Sequence, residues 1–219
     1  MIQGSDARIN MVKQQLRTWQ VTDERILQIM ETLPRDQFVP EAYQNLAYAD
    51  YAIPLNETEL MLSPKVVAKA LQVLNIQSAD HILEVGTGTG YITAILSQLG
   101  REVFSMEINP NFLKKAEINL PHSHYKNVTL SEGDAHEGWL AEGDYDCIFV
   151  TGSYPIALPD ALKTQVRLGG RIFAFVGKRP AVQAQLYTRI APQVWSMRSL
   201  FETDVPALVH AEHPKLFTF

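Results

Sequence analysis

Cysteine is almost absent: Cys147 is the single one among 219 residues. It can form no internal disulfide, which excludes a stapled extracellular scaffold and fits a reducing compartment. Lying inside an apolar run, it reads as a small core hydrophobe. Basic runs are missing too. No stretch of Lys or Arg exceeds two residues and the formal charge is −5, so neither nucleic acid nor an anionic membrane surface is the expected partner. The first residues hold no apolar signal-peptide core, with Asp6 and Arg8 placed early, and no apolar stretch approaches the ~18 residues that span a bilayer. A cytoplasmic protein acting on a small molecule or another protein is the expectation.

What is present is ordinary globular composition, 46% hydrophobic and 20% charged, enough for a sizeable core. The length suits one domain with an N-terminal extension, and there is no repeat or low-complexity segment. Over residues 1–60, Ile9, Val12, Leu16 and Trp19, then Val21, Ile26, Ile29 and Met30, recur at helical period, with Thr22-Asp23 placed to cap the second helix. Pro34 and Pro40 then bring turns, and Ser63-Pro64 opens a further helix with Val66, Val67, Ala70, Leu71 and Leu74 on its apolar face.

From 61 to 180 short apolar strands alternate with helices. The strands are His81–Val85, Glu102–Glu107, Val128–Ser131, Tyr145–Val150 and Arg171–Val176; helices are expected from Tyr91, over Asn111–Leu120 and over Pro159–Leu168, the last ending in a Gly169-Gly170 turn. Thr151-Gly152-Ser153 is expected to be a loop. Such alternation predicts an α/β fold, a mostly parallel twisted sheet with helices on both faces. Over 181–219 the pattern alternates instead, predicting antiparallel strands that finish the sheet.

The chemistry gathers at strand ends. Glu84-Val85-Gly86-Thr87-Gly88-Thr89-Gly90 closes the first strand, where open α/β sheets bind ligands because loop amides and a helix N-terminus converge there. A dinucleotide fingerprint wants Gly or Ala three positions after Gly88, and Tyr91 stands there, which disfavours a pyrophosphate ligand. Glu107, with Ile108, ends the second strand, placed to accept both ribose hydroxyls of an adenosine group. Asp134, with Ala135, follows the third and can accept from an adenine amino group. Thr151, after the fourth, is a candidate wall for the rest of the ligand.

This ordered set resembles the class I S-adenosylmethionine methyltransferases, with their Rossmann-like core. A finer match covers nearly the whole chain. Leu33-Pro34-Arg35-Asp36-Gln37-Phe38-Val39-Pro40, Ile82 through Tyr91, Gly133-Asp134 with Gly138-Trp139, Tyr145-Asp146 with Val150-Thr151, and Leu168-Gly169-Gly170-Arg171 with Val176-Gly177 are similar to the protein-L-isoaspartate O-methyltransferases. The resemblance implies methyl transfer from S-adenosyl-L-methionine to the carboxylate of isoaspartyl residues in damaged proteins, with S-adenosyl-L-homocysteine as product. It assigns the cofactor to Glu84, Val85, Gly86, Thr87, Gly88, Gly90, Glu107, Ile108, Asp134, Ala135 and Thr151. No metal is implied.

The family's substrate loop usually reads Gly-His-Gly-Gln-Thr-Ile-Ser, one residue, then Pro. Anchored on Pro64, this chain offers Asn56 to Ser63, so the Thr and Ser fall on Leu60 and Leu62 and the Gln on Glu59. A carboxylate acceptor loses hydroxyl donors there and meets the like charges of Glu57 and Glu59. Ser63 is the catalytic candidate if the register slips by one, and otherwise a helix N-cap. Two further readings follow: a methyltransferase for another acceptor, favoured by Leu60, Met61 and Leu62, with Glu57 or Glu59 as base for an amine or phenol; or a non-catalytic cofactor-binding protein whose loop meets a partner. His122, His124, His210 and His213 read as surface-loop residues, and Trp19, Trp139 and Trp195 as core anchors.

Overall fold

Asp23 begins the second N-terminal helix by accepting a hydrogen bond from the Arg25 amide, one of the orphan donors of a helix start. In the computed structural model, which describes residues 4–139 and 143–211, α1 (Gly4–Asn10) continues into a π-helical stretch over Met11–Leu16, and α2 follows at Glu24–Thr32. Met11, Val12, Leu16, Ile26, Leu27 and Met30 are buried, the face that the helical spacing marks. Two 3-10 turns, Arg35–Phe38 and Glu41–Leu46, lead to a small hairpin of β1 (Ile53–Pro54) and β2 (Leu60–Met61), then to α3 (Pro64–Leu74). Pro64 takes the first helical position, where its missing N–H removes no intrahelical bond.

Seven strands form the main sheet. They are β3 (His81–Val85), β4 (Glu102–Glu107), β5 (Val128–Glu132), β6 (Tyr145–Tyr154), β7 (Val166–Val176), β8 (Val182–Ala191) and β9 (Val194–Thr203), in the order β5-β4-β3-β6-β7-β8-β9. β5 through β7 are parallel, and β8 and β9 close the sheet as an antiparallel hairpin. α4 (Tyr91–Leu99), α5 (Pro110–Asn119) and α6 (Asp160–Thr164) connect the parallel strands. Successive strand residues feed opposite cores: Ile82, Val103, Cys147, Phe149 and Phe173 join α3, α4 and the N-terminal lobe, whereas Leu83, Phe104, Ile148 and Ile172 join Leu162 of α6. Burial on both faces is what continuous apolar strands require. Cys147 lies in that core, its Sγ 3.2 Å from Asp80 Oδ2. No helix among the described residues is long and apolar enough to cross a membrane. Glu212 and His213 lie outside the described residues.

Two expectations are corrected. Thr151-Gly152-Ser153 is not a loop: β6 runs on to Tyr154, because Ser153 pairs with Phe175 and its amide donates to the Pro206 carbonyl while Leu208 donates back to Ser153. The helix expected over Pro159–Leu168 shrinks to Asp160–Thr164, since Val166 is drawn into β7 opposite Tyr145. Gly169-Gly170 lies inside β7, where the register jumps from Tyr145↔Val166 to Cys147↔Arg171. A Cβ on Gly170 would stand 2.9 Å from the carbonyls of Arg167 and Asp146.

Candidate active site

The order of the sheet reverses at β3, whose neighbours are β4 on one side and β6 on the other, and a crevice opens at the carboxyl ends of strands around such a switch point. Here it is a cleft of about 640 Å³ lined by Val85–Thr89 after β3, Met106–Ile108 at the end of β4, Gly133–His136 after β5 and Thr151 of β6.

Gly86 has φ +92°, and a Cβ there would fall 2.2 Å from Thr151 Oγ1. Glycine therefore lets the end of β3 approach β6, and the Thr151 hydroxyl sits 2.9 Å from the carbonyls of both Val85 and Gly86. Gly90 does a different job. It is not among the lining residues; at φ +86° it begins α4, and a Cβ would strike Leu120 at 2.7 Å, so it admits the end of α5.

Glu107 is 4% exposed, at the end of β4. Its Oε2 accepts from the Gly88 amide at 2.7 Å and its Oε1 from the Asn109 amide at 2.9 Å. Burial raises its pKa, the Asn109 and Gly88 amides oppose that, and the carboxylate of Glu59 adds to the rise. Glu84 is not on the cleft at all. It is fully buried beneath it, Oε2 accepting from Thr93 Oγ1 at 2.5 Å and Ser105 Oγ at 2.6 Å, while Oε1 has no partner among the described residues. Desolvation pushes Glu84 up to about 8 against the pull of the two hydroxyls, with the Glu107 charge adding to the rise. Since Ser105 spends its only proton on Glu84, the lining residue Thr87 donates to Ser105 at 2.6 Å. Glu84 thus acts on the cleft through a chain of hydroxyls.

Asp134 Oδ1 accepts from the His136 amide and from His136 Nδ1, and Oδ2 lies 2.6 Å from His210 Nδ1. Partial burial favours the neutral acid, but the bonds from His210 and His136 outweigh it and hold the carboxyl below its ordinary range. His210 is exposed, as expected of a loop residue, yet its ring reaches into the site. It arrives on a segment after β9 that nothing in its local sequence marks as part of the cleft: Pro206–His210 line one wall, held to β6 by the backbone bonds at Ser153.

The loop between β1 and β2 forms the opposite wall. Asn56 Oδ1 accepts from the amides of Thr58 and Glu59, and Asn56 Nδ2 donates to Glu59 Oε2 at 2.5 Å. Residues 57–62 line the cleft; Ser63 does not. It is 7% exposed at the N-cap of α3, with no side-chain capping bond. Arg35 anchors the loop from below, fully buried, donating 2.8 Å bonds to the carbonyls of Ala47 and Leu62, its guanidinium 4.8 Å from the Tyr91 ring centre. His122 and His124 are exposed in a turn and do not line the cleft. Trp139 and Trp195 are partly buried against the core, whereas Trp19 is 36% exposed.

A family model described as protein-L-isoaspartate(D-aspartate) O-methyltransferase matches residues 7–211. Protein-L-isoaspartate O-methyltransferase 1 of Syntrophobacter fumaroxidans is 38% identical over 186 residues, covering 85% of this chain and 86% of its own. Protein-L-isoaspartate O-methyltransferase 2 of Marinobacter nauticus is 35% identical, covering 89% of each. Among solved structures, a protein-L-isoaspartate O-methyltransferase superposes with TM-score 0.79 at 24% identity, over 92% of this chain and 65% of that one. A putative protein-L-isoaspartate O-methyltransferase from Plasmodium falciparum, in complex with S-adenosyl-L-homocysteine, gives 0.78 at 16% identity, over 92% and 97%. At those identities the two structures share the fold.

Proposed function

The chain belongs to the protein-L-isoaspartate(D-aspartate) O-methyltransferase family, and from that premise we propose that it methylates the free carboxylate of isoaspartyl residues in proteins or peptides, using S-adenosyl-L-methionine. The observation that carries this reading is Glu107 at the rim of a glycine-lined cleft at the switch point of the sheet.

The donor set fits the nucleoside. Each Glu107 oxygen accepts one amide, leaving further acceptor capacity on both for a pair of ribose hydroxyls. Asp134 and Ala135 would hold the adenine edge, Ile108 would flank the ribose, and Val85, Gly86, Thr87, Gly88 and Thr151 would line the methionine half. Glu84 and Gly90 serve from behind, through the hydroxyl chain and the packing of α5. When bound, S-adenosyl-L-methionine supplies a methyl group on a cationic sulfur and leaves as S-adenosyl-L-homocysteine.

A carboxyl acceptor with pKa near 4 is already ionised at neutral pH, so the chain has to align and desolvate it rather than remove a proton. Leu60, Met61 and Leu62 supply an apolar wall for a reaction in which a negative oxygen and a positive sulfur neutralise as the O–C bond forms and the C–S bond breaks. Residues 1–60 present the acceptor loop, 61–180 bind the nucleoside, and the strands from 181 complete the sheet. The single cysteine supports action in the reducing cytoplasm.

Methyl-ester formation on an isoaspartyl peptide, against the same peptide with normal Asp, tests the proposal. Turnover confined to the isoaspartyl peptide is expected. Cofactor binding without turnover on either would overturn it and favour the second reading, an acceptor other than a carboxylate, which the leucines at positions 60 and 62 support.

A further inference from the structure

The adenosine end of the cleft carries a second constellation. Asp134, His136 and His210 each offer one ligand atom, and the three atoms lie within 4.8 Å of one another. Two imidazole nitrogens meet one carboxylate, one at each oxygen, His136 Nδ1 at 2.8 Å from Oδ1 and His210 Nδ1 at 2.6 Å from Oδ2. The backbone that carries each ring is held from elsewhere. The Tyr154 hydroxyl donates to the His136 carbonyl at 2.6 Å, and the segment bearing His210 is tied to β6 through Ser153, Pro206 and Leu208.

We propose that Asp134, His136 and His210 form a site for a divalent transition-metal ion of the zinc class, and that this ion competes with the nucleoside cofactor. An ionised carboxylate only accepts, so each Nδ1 carries a proton in the arrangement observed. A cation at the centre takes the place of those two N–H bonds: each neutral ring moves its proton to Nε2 and turns its Nδ1 lone pair to the metal. Ligand atoms around a tetrahedral zinc stand about 3.3 Å apart, and the three ligand atoms, which already lie within 4.8 Å of one another, need to shift by no more than about 1.5 Å to reach that spacing. His210 is exposed, and water can fill the remaining position. Two imidazoles with one carboxylate suit zinc and its neighbours, whereas Mg²⁺ and Ca²⁺ demand oxygen ligands.

Competition follows because Asp134 lines the cleft and is the carboxylate assigned to the adenine edge. That half rests on the cofactor reading; the metal site itself does not.

Calorimetric titration of the full chain with ZnCl₂, and with MgCl₂ as control, tests the site. One equivalent of Zn²⁺ and no Mg²⁺ should bind, with Co²⁺ giving visible absorption bands of a nitrogen-ligated ion. H136A and H210A, each shown folded by circular dichroism, should each lose that equivalent although His81, His122, His124 and His213 remain. S-adenosyl-L-homocysteine titrated without zinc tests the cofactor reading by itself. At free zinc ten times its own Kd, the apparent Kd for S-adenosyl-L-homocysteine should rise about elevenfold. No zinc binding, or equal binding by wild type and the H136A/H210A double variant, overturns the site; a nucleoside affinity indifferent to zinc overturns the competition.

Discussion

Replacing Glu84 with Gln removes one titrating group from beneath the cleft and keeps the side chain's shape. The Gln carbonyl can still accept from Thr93 and Ser105, which meet Glu84 Oε2 at 2.5 and 2.6 Å. In the folded chain burial lifts this carboxyl from its ordinary 4.5 to about 8. The folded state therefore holds a proton that the unfolded chain has released, and between those two values stability falls as pH rises. Its contribution is fully present below about 4.5 and is lost as pH climbs through about 8. At about 1.4 kcal/mol per pH unit, the gap sets a ceiling of about 5 kcal/mol on the loss. Urea unfolding of wild type and E84Q at several pH values from 5 to 9 measures it, every other titrating group being common to both. Wild type should lose up to about 4 kcal/mol more than E84Q across that range, the rest of the ceiling lying below pH 5. Parallel stability curves would refute the assignment of a neutral, desolvated Glu84 below the cleft.

Gly86→Ala puts a Cβ 2.2 Å from Thr151 Oγ1 at a backbone φ of +92°, and should cost about 2 kcal/mol or more, at least about 4–8 °C in Tm; an unchanged calorimetric Tm contradicts the close approach of β3 and β6. Glu59→Gln removes a like charge from the acceptor wall, worth about 1 kcal/mol for charges about 4 Å apart in a water-like medium, so KM for an isoaspartyl peptide should fall about fivefold. The wild-type KM should also fall more steeply with added salt than that of E59Q, which keeps Glu57 on the same wall; identical salt profiles would show that the Glu59 charge does not face the acceptor.

How much of this was legible in the chain varies with the distance over which each feature is decided. The parallel strands stand out because short apolar runs alternate with helical stretches, and Glu107 and Asp134 stand at or just after strand ends, as their places in the sequence suggest. Glu84 also ends a strand, yet position along a strand does not say which face a side chain takes; Thr93 of α4 and Ser105 of β4 claim it from below. Gly90 belongs by spacing to the glycine turn, but its missing side chain is explained by Leu120, which only the packed α5 brings near. The extension of β6 through Ser153 and the wall at Pro206–His210 define each other through backbone bonds spanning some fifty residues, and backbone bonds leave no residue pattern. Likewise Val166, β-branched and suited to a strand, falls within the span read as a helix, and only its pairing with Tyr145 draws it into β7.

Glu107 is the hinge of the whole account. Titrating S-adenosyl-L-homocysteine into wild type and Glu107→Gln by calorimetry measures its part directly, because Gln keeps the volume and one carbonyl acceptor while giving up the charge and half the acceptor capacity. Two charge-assisted hydrogen bonds to ribose hydroxyls are worth about 1.5–3 kcal/mol each, so an affinity loss of at least tenfold is expected, with the fold intact by circular dichroism. Equal affinity in the two proteins would contradict the placement of the nucleoside at the end of β4.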